Sequence, residues 1–127
     1  MNLYALNKWT ISLRKVCFSA ESLPKTKDYT YVSFNKKTIV MPPVEFNSTI
    51  NILNDKNNLN CVNNSVMYEC DCIHILDRRY PTLTMTIDYD KKFYFYSGMY
   101  LKYNSTSDKC TLMIVPGDDW DFGQHAI

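Results

Sequence analysis

The chain has 127 residues, 46% of them hydrophobic and 14% aromatic, and its 14 basic and 13 acidic residues leave a formal net charge of +1. This composition predicts one folded domain over residues 1–127 and excludes a disordered chain. Lys and Arg are scattered, so we expect no nucleic-acid partner. No apolar run approaches the roughly 18 to 20 residues of a membrane span, and we expect no membrane partner either.

The first half of the chain predicts one short helix followed by strands. Four apolar residues recur at helical spacing, which favours an amphipathic helix over residues 3–16: Leu6, Trp9, Leu13 and Val16. β-branched and aromatic residues predict strands over 29–34, 38–41 and 48–53. Pro42 and Pro43 end the second of these strands, because proline cannot donate to a sheet ladder.

The second half predicts strands alone. Residues 66–76 form one candidate, and residues 82–89 form the clearest one, since Leu83, Met85 and Ile87 alternate with threonines. The aromatic run 93–103 and the strand that starts at Cys110 are joined by a polar turn, which predicts a hairpin. The whole pattern favours an all-β fold, an antiparallel meander that forms a barrel or a sandwich.

Cysteines and glycosylation motifs point to the same environment. The chain has five cysteines and three Asn-x-Ser/Thr sequons: Cys17, Cys61, Cys70, Cys72 and Cys110, with sequons at Asn47, Asn63 and Asn104. Together they favour an oxidising, secretory history, with disulfide bonds and N-linked glycans. No signal-peptide pattern is visible at the N-terminus. Cys70 and Cys72 are two apart on an extended strand, so we expect them to bond different partners.

Catalytic and metal chemistry are poorly supported. The two histidines, His74 and His125, have no nucleophile motif near them, and three scattered glycines form no phosphate loop. We therefore expect no enzymatic activity and no cofactor. Cys70, Cys72 and His74 share one strand face, but a zinc site usually takes four ligands from two elements, so we favour disulfides over a metal site.

Two features allow either a structural or a binding interpretation. Tyr94, Tyr96 and Tyr100 fall on one parity of the aromatic run, which is either plain core or surface, or the lining of a ligand cavity. Asp88 lies among alternating threonines and either faces water or, if that parity faces inward, holds a cation. The residues alone leave both interpretations open.

The segment 107–119, SDKCTLMIVPGDD, resembles the late-strand motif of the tick salivary lipocalins, the histamine-binding protein family. In that family a polar turn precedes a cysteine, four mostly apolar residues and Val-Pro-Gly. Members then continue into a strand with Glu-Leu-Trp, a helix and further cysteines, and this chain does not. The resemblance therefore implies a single lipocalin-like domain that is shortened at its C-terminus. Cys110 would lack its usual partner, and the family's contacts do not transfer to Asp119 or Trp120.

The resemblance implies a secreted, extracellular, monomeric and non-enzymatic barrel that sequesters a small host mediator to counter host defence. The mediator would be histamine or another biogenic amine, or a leukotriene. An amine needs a carboxylate and aromatic faces, and the candidate residues are Asp88, Tyr94, Tyr96 and Tyr100. A lipid mediator needs a basic residue and a long apolar slot. The alternative is a secreted, disulfide-linked β-domain that binds a host protein through its surface.

Overall fold

The computed structural model describes residues 8–33, 36–64, 67–72, 80–87 and 91–123. Within these ranges the chain forms β1 (Lys8–Phe18), β2 (Glu21–Ser22), β3 (Tyr29–Ser33), β4 (Ile39–Met41), β5 (Val62–Asn63), β6 (Tyr68–Cys70), β7 (Leu83–Ile87), β8 (Lys92–Phe95), β9 (Leu101–Asn104), β10 (Lys109–Leu112), β11 (Ile114–Pro116) and β12 (Trp120–Asp121). The helical elements are α1 (Pro43–Asn51), a π-helical turn (Ile52–Lys56) and α2 (Ser97–Tyr100). The fold is mostly β, as predicted.

The strands form two sheets. The larger sheet has the order β11-β4-β12-β3-β1-β7-β8, with β2 paired to β1, and it curls into a half-barrel. The smaller sheet has the order β5-β6-β10-β9. Two pairs are parallel, β11 with β4 and β12 with β3. The prediction of a purely antiparallel meander is therefore wrong, because the chain returns after β10 and places β12 between β3 and β4.

The N-terminal stretch is a strand, β1, and the predicted helix over residues 3–16 is wrong for the part that the structure describes. The register of β1 against β7 shifts between Leu13 and Lys15, as it does at a β-bulge. Leu13 and Val16 are consequently both buried, while Arg14 and Lys15 between them are exposed. The bulge thus produces a three-residue spacing that imitates a helix.

The predicted strand over residues 48–53 is helical instead. Pro43 occupies the first turn of α1, where its fixed φ suits the helix and its missing N–H is not needed. Glu45, Phe46 and Thr49 are the buried residues of α1, and Leu53 of the π-helical turn continues that buried face. The strands predicted over 29–34 and 38–41 are confirmed as β3 and β4, except that residue 34 lies outside the described ranges.

The second half of the chain follows the prediction more closely. In β7 the apolar Leu83, Met85 and Ile87 are buried and the threonines between them are half-buried, as expected. Of the strand predicted over 66–76, β6 is described, and residues 66 and 73–76 lie outside the described part. The hairpin is confirmed between β9 and β10. The aromatic strand before it is interrupted, because α2 separates β8 from β9.

The core lies between the sheets and α1. Its largest fully buried side chains include Trp120, Tyr100, Phe18, Phe95 and Phe122. Edge-to-face ring contacts join Phe95 to Phe122 and Trp120 to Phe122, with centroids 5.7 and 6.2 Å apart. The C-terminal strand β12 is therefore an integral part of the core. No helix of the described residues is long and apolar enough to cross a membrane.

Candidate functional site

The four residues predicted to bind a ligand do not form one site in the described structure. Asp88 lies outside the described residues. Tyr94, in β8 at the end of the larger sheet, and Tyr96, just after that strand, are 50% and 58% exposed. Tyr100 is fully buried. The parity that was expected to line a cavity therefore divides between surface and core.

Tyr100 has a structural role. Its hydroxyl donates a hydrogen bond to the Pro81 carbonyl at 2.5 Å, and its ring meets Phe18 edge to face with centroids 5.6 Å apart. Burial raises the pKa of Tyr100 above its ordinary value, because the phenolate is poorly solvated there. Tyr100 thus belongs to the core of the described structure.

Two disulfides join Cys61 to Cys70 and Cys72 to Cys110. Cys70 and Cys72 have different partners, as expected. Cys110 does have a partner, contrary to the implication of the lipocalin resemblance. The cysteine without a disulfide is Cys17, a half-buried residue of β1.

An open cleft of about 600 Å³ lies beside β3, β4, β11 and β12. We call it the acidic cleft. It is lined by eleven residues: Tyr31, Ser33, Lys36, Thr38, Val40, Val115, Pro116, Gly117, Asp118, Asp119 and Asp121. Three carboxylates and one ammonium group give this lining a formal charge of −2.

The sheet topology brings these residues together. Parallel pairing puts Val115 opposite Val40, and it puts Asp121 opposite Tyr31. Between β11 and β12 the chain turns at Gly117, where a Cβ atom would lie 2.4 Å from Val40 Cγ1. Real Cβ atoms do not approach that closely, so this position favours glycine. The close packing of the turn on β4 holds the aspartates that follow it at the mouth of the cleft.

Asp121 is a structural carboxylate at the base of the cleft. It is 5% exposed and accepts hydrogen bonds from the Ser33 amide at 3.1 Å, the Ser33 hydroxyl and the Gly123 amide at 2.8 Å. Lys36 Nζ lies 3.8 Å from its Oδ2 atom. A buried carboxylate needs partners of this kind, and these bind β3 to the C-terminal segment.

Asp119 is partly engaged. The Tyr29 hydroxyl donates to its Oδ1 atom at 2.9 Å, and Lys27 Nζ lies 3.8 Å from the same oxygen. This hydrogen bond is the main reason that the pKa of Tyr29 is raised to about 12, because a phenolate would lose its bond to the carboxylate and face its charge. Tyr29 also meets Tyr31 edge to face, with centroids 5.5 Å apart.

Asp118 differs from Asp119 and Asp121 in its surroundings. It is exposed, and no described residue forms a hydrogen bond or an ion pair with its carboxylate. Its charge is therefore the one in the acidic cleft that is available to a ligand. Within the described residues, no group of three or more His, Cys, Asp or Glu side chains is arranged to hold a metal ion. The arrangement suits an organic cation, which needs one carboxylate and a neighbouring ring.

A buried hydrogen-bond network around Glu45 holds the strand β12 beside the cleft. Glu45 of α1 is fully buried and accepts hydrogen bonds from Trp120 Nε1 at 2.9 Å, from the Thr26 amide at 3.2 Å and from the Thr26 hydroxyl at 2.8 Å. Trp120 stands between Asp119 and Asp121 in the chain. Glu45 thus fixes β12, the strand that carries Asp121 and directly follows Asp119.

The sequence reasoning missed the acidic cleft. A signal was present, since three aspartates occur within four residues directly after Pro116 and Gly117. Nothing local in the sequence shows that this segment pairs with β3 and β4, however, and without that pairing the aspartates lie beside no pocket.

Comparisons with known proteins give a fold without a function. No known protein family matches the chain, and no curated protein matches it. Among solved structures, the crystal structure of basic 7S globulin from soybean matches with a TM-score of 0.69 at 9% sequence identity. The match covers 98% of this chain and 38% of the soybean chain. The likeness shows a shared fold, and that fold is different from the lipocalin barrel.

Proposed function

We propose that this domain binds a small organic cation, a biogenic amine such as serotonin or histamine, in the acidic cleft. The unpartnered carboxylate of Asp118 at the mouth of the cleft carries this proposal. Around it, the lining has a formal charge of −2, and the volume of about 600 Å³ lies within the usual range of ligand pockets. Amine binding thus remains the proposed activity, while its site moves from Asp88 and a barrel interior to Asp118.

The charge of the cleft supports an amine over a leukotriene as the ligand. A leukotriene carries a carboxylate, which three aspartates would repel, and it needs a long apolar slot. An amine instead gains an ion pair with Asp118, worth about 0.2 to 1 kcal/mol at an exposed site. If its ammonium group lies over the Tyr31 ring, a cation–π contact adds about 0.5 to 1 kcal/mol. Together these two contacts favour the amine by about 0.7 to 2 kcal/mol.

The wider role that we propose is the extracellular capture of a host mediator. Two disulfides support it, since such bonds persist in oxidising compartments. From the lipocalin resemblance we keep only the kind of ligand. The closed barrel is not kept, because the described strands form a half-barrel.

The test is calorimetric titration with serotonin and with N-acetylserotonin, which has the same ring system but no ammonium group. We expect serotonin to bind about 3- to 30-fold more tightly, the equivalent of about 0.7 to 2 kcal/mol. Equal affinities, or no binding of serotonin, would refute the proposal.

A matched pair of variants tests the site. Asp118→Asn removes the carboxylate in the cleft, and Asp55→Asn removes an exposed carboxylate of the π-helical turn, outside the cleft. Both changes alter the net charge equally. We expect the first to weaken serotonin binding by up to about fivefold, as for the loss of one exposed ion pair, and the second to leave it unchanged.

A second candidate is the binding of an acidic host protein at the outermost strand β8. Tyr94, Tyr96 and Met99 are three large hydrophobic side chains that are at least 40% exposed, and Lys91 and Lys92 add positive charge beside them. Aromatic rings bordered by cations suit a partner with a negative surface. The double variant Tyr94→Ser/Tyr96→Ser should then abolish capture of the partner from host plasma and leave serotonin binding intact.

A further inference from the structure

One surface of the domain combines lysines with exposed aromatic rings. In β8 the side chains of Lys92 and Tyr94 are exposed, whereas Phe95 is buried, so Lys92 and Tyr94 lie on the outward side of the larger sheet. Tyr96 follows at the same spacing of two in extended backbone and is also exposed. Exposed large apolar groups that lie together mark interaction surfaces.

Strand pairing adds a second lysine to this surface. Thr86 of β7 pairs with Lys92 of β8 on one side and with Lys15 of β1 on the other. Neighbouring strands are about 4.8 Å apart, so the Cα atoms of the two lysines lie about 10 Å apart on one face of the sheet. Both lysines are exposed, and neither ammonium group has an ion pair or a hydrogen bond with a described side chain. We call Lys15, Lys92, Tyr94 and Tyr96 the basic face.

The acidic cleft lies on the outward side of the same sheet, at the other end of the strand order. In β3 the residues Thr30 and Val32 are buried, and Tyr31 between them lines the cleft. The order β11-β4-β12-β3-β1-β7-β8 places the four strands beside the cleft first and β8 last. Because the sheet curls into a half-barrel, outward side chains at its two ends point away from each other. A contact between the basic face and the cleft must therefore join two molecules.

We propose that the basic face of one molecule docks on the acidic cleft of a second copy of this chain. Charge complementarity identifies the partner. The basic face presents two unpaired ammonium groups, and the cleft has a formal charge of −2 and the unpaired carboxylate of Asp118. A lysine ammonium group is an organic cation of the class assigned to the cleft, so this inference rests on the proposed function in its use of that site.

The contact joins two different surfaces, so it is heterologous. Each docked pair leaves one basic face and one cleft free, and association continues head to tail instead of closing at a dimer. Exposed ion pairs are individually weak, so the assembly forms at high protein concentration and dissociates on dilution. A free amine in the cleft competes with the second molecule. Self-association thus regulates amine capture, because only the dissociated chain has an open cleft.

Sedimentation velocity of the full chain at rising concentrations tests the contact. The average mass should increase with concentration at low salt. It should return to the monomer value in about 1 M salt, where the Debye length is only about 3 Å, and also with saturating serotonin at low salt. A parent chain that stays monomeric at every concentration would overturn the inference and leave an acidic host protein as the partner of this face.

Two variants with the same change in charge test the basic face. Lys92→Gln removes a cation of the face, and Lys102→Gln removes an exposed cation of β9 in the smaller sheet. We expect Lys92→Gln to weaken self-association by up to about fivefold, as for the loss of one exposed ion pair, and Lys102→Gln to leave it unchanged. Equal effects of the two variants would show that the association does not use the basic face.

Mixing two complementary variants tests the pairing of the two surfaces. Asp118→Lys damages the cleft and keeps the basic face, whereas Lys15→Ser/Lys92→Ser damages the face and keeps the cleft. Each protein alone should remain monomeric, and an equal mixture should form a one-to-one complex that grows no further. A mixture that stays monomeric would contradict the head-to-tail contact.

The outcomes separate this inference from the proposed function. Serotonin binding is measured by calorimetry on the parent chain at a concentration where it is monomeric. A chain that binds serotonin but never associates refutes the inference alone. A chain that associates through the two surfaces but binds no serotonin refutes the proposed capture of amines and supports the contact between copies.

Discussion

Replacing Glu45 by Ala should destabilise the domain by about 2 to 4 kcal/mol. The Trp120 indole N–H is fully buried, and without its acceptor it would stay unsatisfied, which costs about 1 to 3 kcal/mol. The two hydrogen bonds from Thr26 contribute about 1 kcal/mol more, because the exposed Thr26 groups can turn to water instead. Glu45→Ala should therefore lower the free energy of unfolding more than the loss of a typical side chain does.

Urea denaturation followed by circular dichroism measures this effect. The control is Glu21→Ala, which removes an exposed carboxylate that pairs with Lys56, and it should cost less than about 1 kcal/mol. Thr26→Val removes one hydroxyl donor and should cost about 1 kcal/mol. If Glu45→Ala is no more destabilising than Glu21→Ala, the buried network does not hold β12 in place.

Two further predictions concern ionisation and the disulfides. The hydrogen bond to Asp119 raises the pKa of Tyr29 to about 12. The stability that this bond contributes is fully present below about pH 10 and is lost as the pH rises through about 12. NMR titration of ring-labelled tyrosine should therefore show Asp119→Asn returning the Tyr29 pKa toward about 10, and an unchanged curve would contradict the assigned bond. Replacing Cys72 and Cys110 together by Ser opens a cross-link between residues 38 apart and should cost about 4 kcal/mol in urea denaturation. Cys17→Ser, which breaks no disulfide, should change stability by less than about 0.5 kcal/mol, and similar losses in the two proteins would disprove the stabilising role of the 72–110 bond.

The parts of the fold that could be predicted are those with a regular local pattern. In β7 every second residue is apolar and buried, so the period of two appears directly in the sequence. The turn between β9 and β10 was predictable from its short polar side chains, and Asn104 does bond the backbone of that turn.

Three local irregularities explain the wrong predictions. The register shift in β1 places Leu13 and Val16 on the buried face at a spacing of three, which is a helical spacing. Pro43 begins α1, although the residues after it have a high β-propensity. The third irregularity is α2, which breaks the alternation of the aromatic run and turns Tyr100 into the core. In each case a short segment changes the spacing of apolar residues from which the secondary structure was predicted.

The acidic cleft could not be predicted from local patterns, because it depends on non-local pairing. Asp121 and Tyr31 are 90 residues apart in sequence and opposite one another in the sheet. The two parallel strand pairs that form the cleft, β11 with β4 and β12 with β3, join distant segments of the chain. The residue pattern of each segment does not show which strand it pairs with. Three aspartates do follow Gly117 closely in the sequence, but the sequence does not show which residues lie beside them.

The most direct test of the central claim is NMR chemical-shift mapping of the isotope-labelled chain during titration with serotonin. The account predicts perturbations centred on Asp118, Asp119 and Tyr31, which diminish in the Asp118→Asn variant. Perturbations centred on Tyr94 of β8 and on Tyr96 just after it, or none at millimolar serotonin, would contradict the claim that the acidic cleft binds amines.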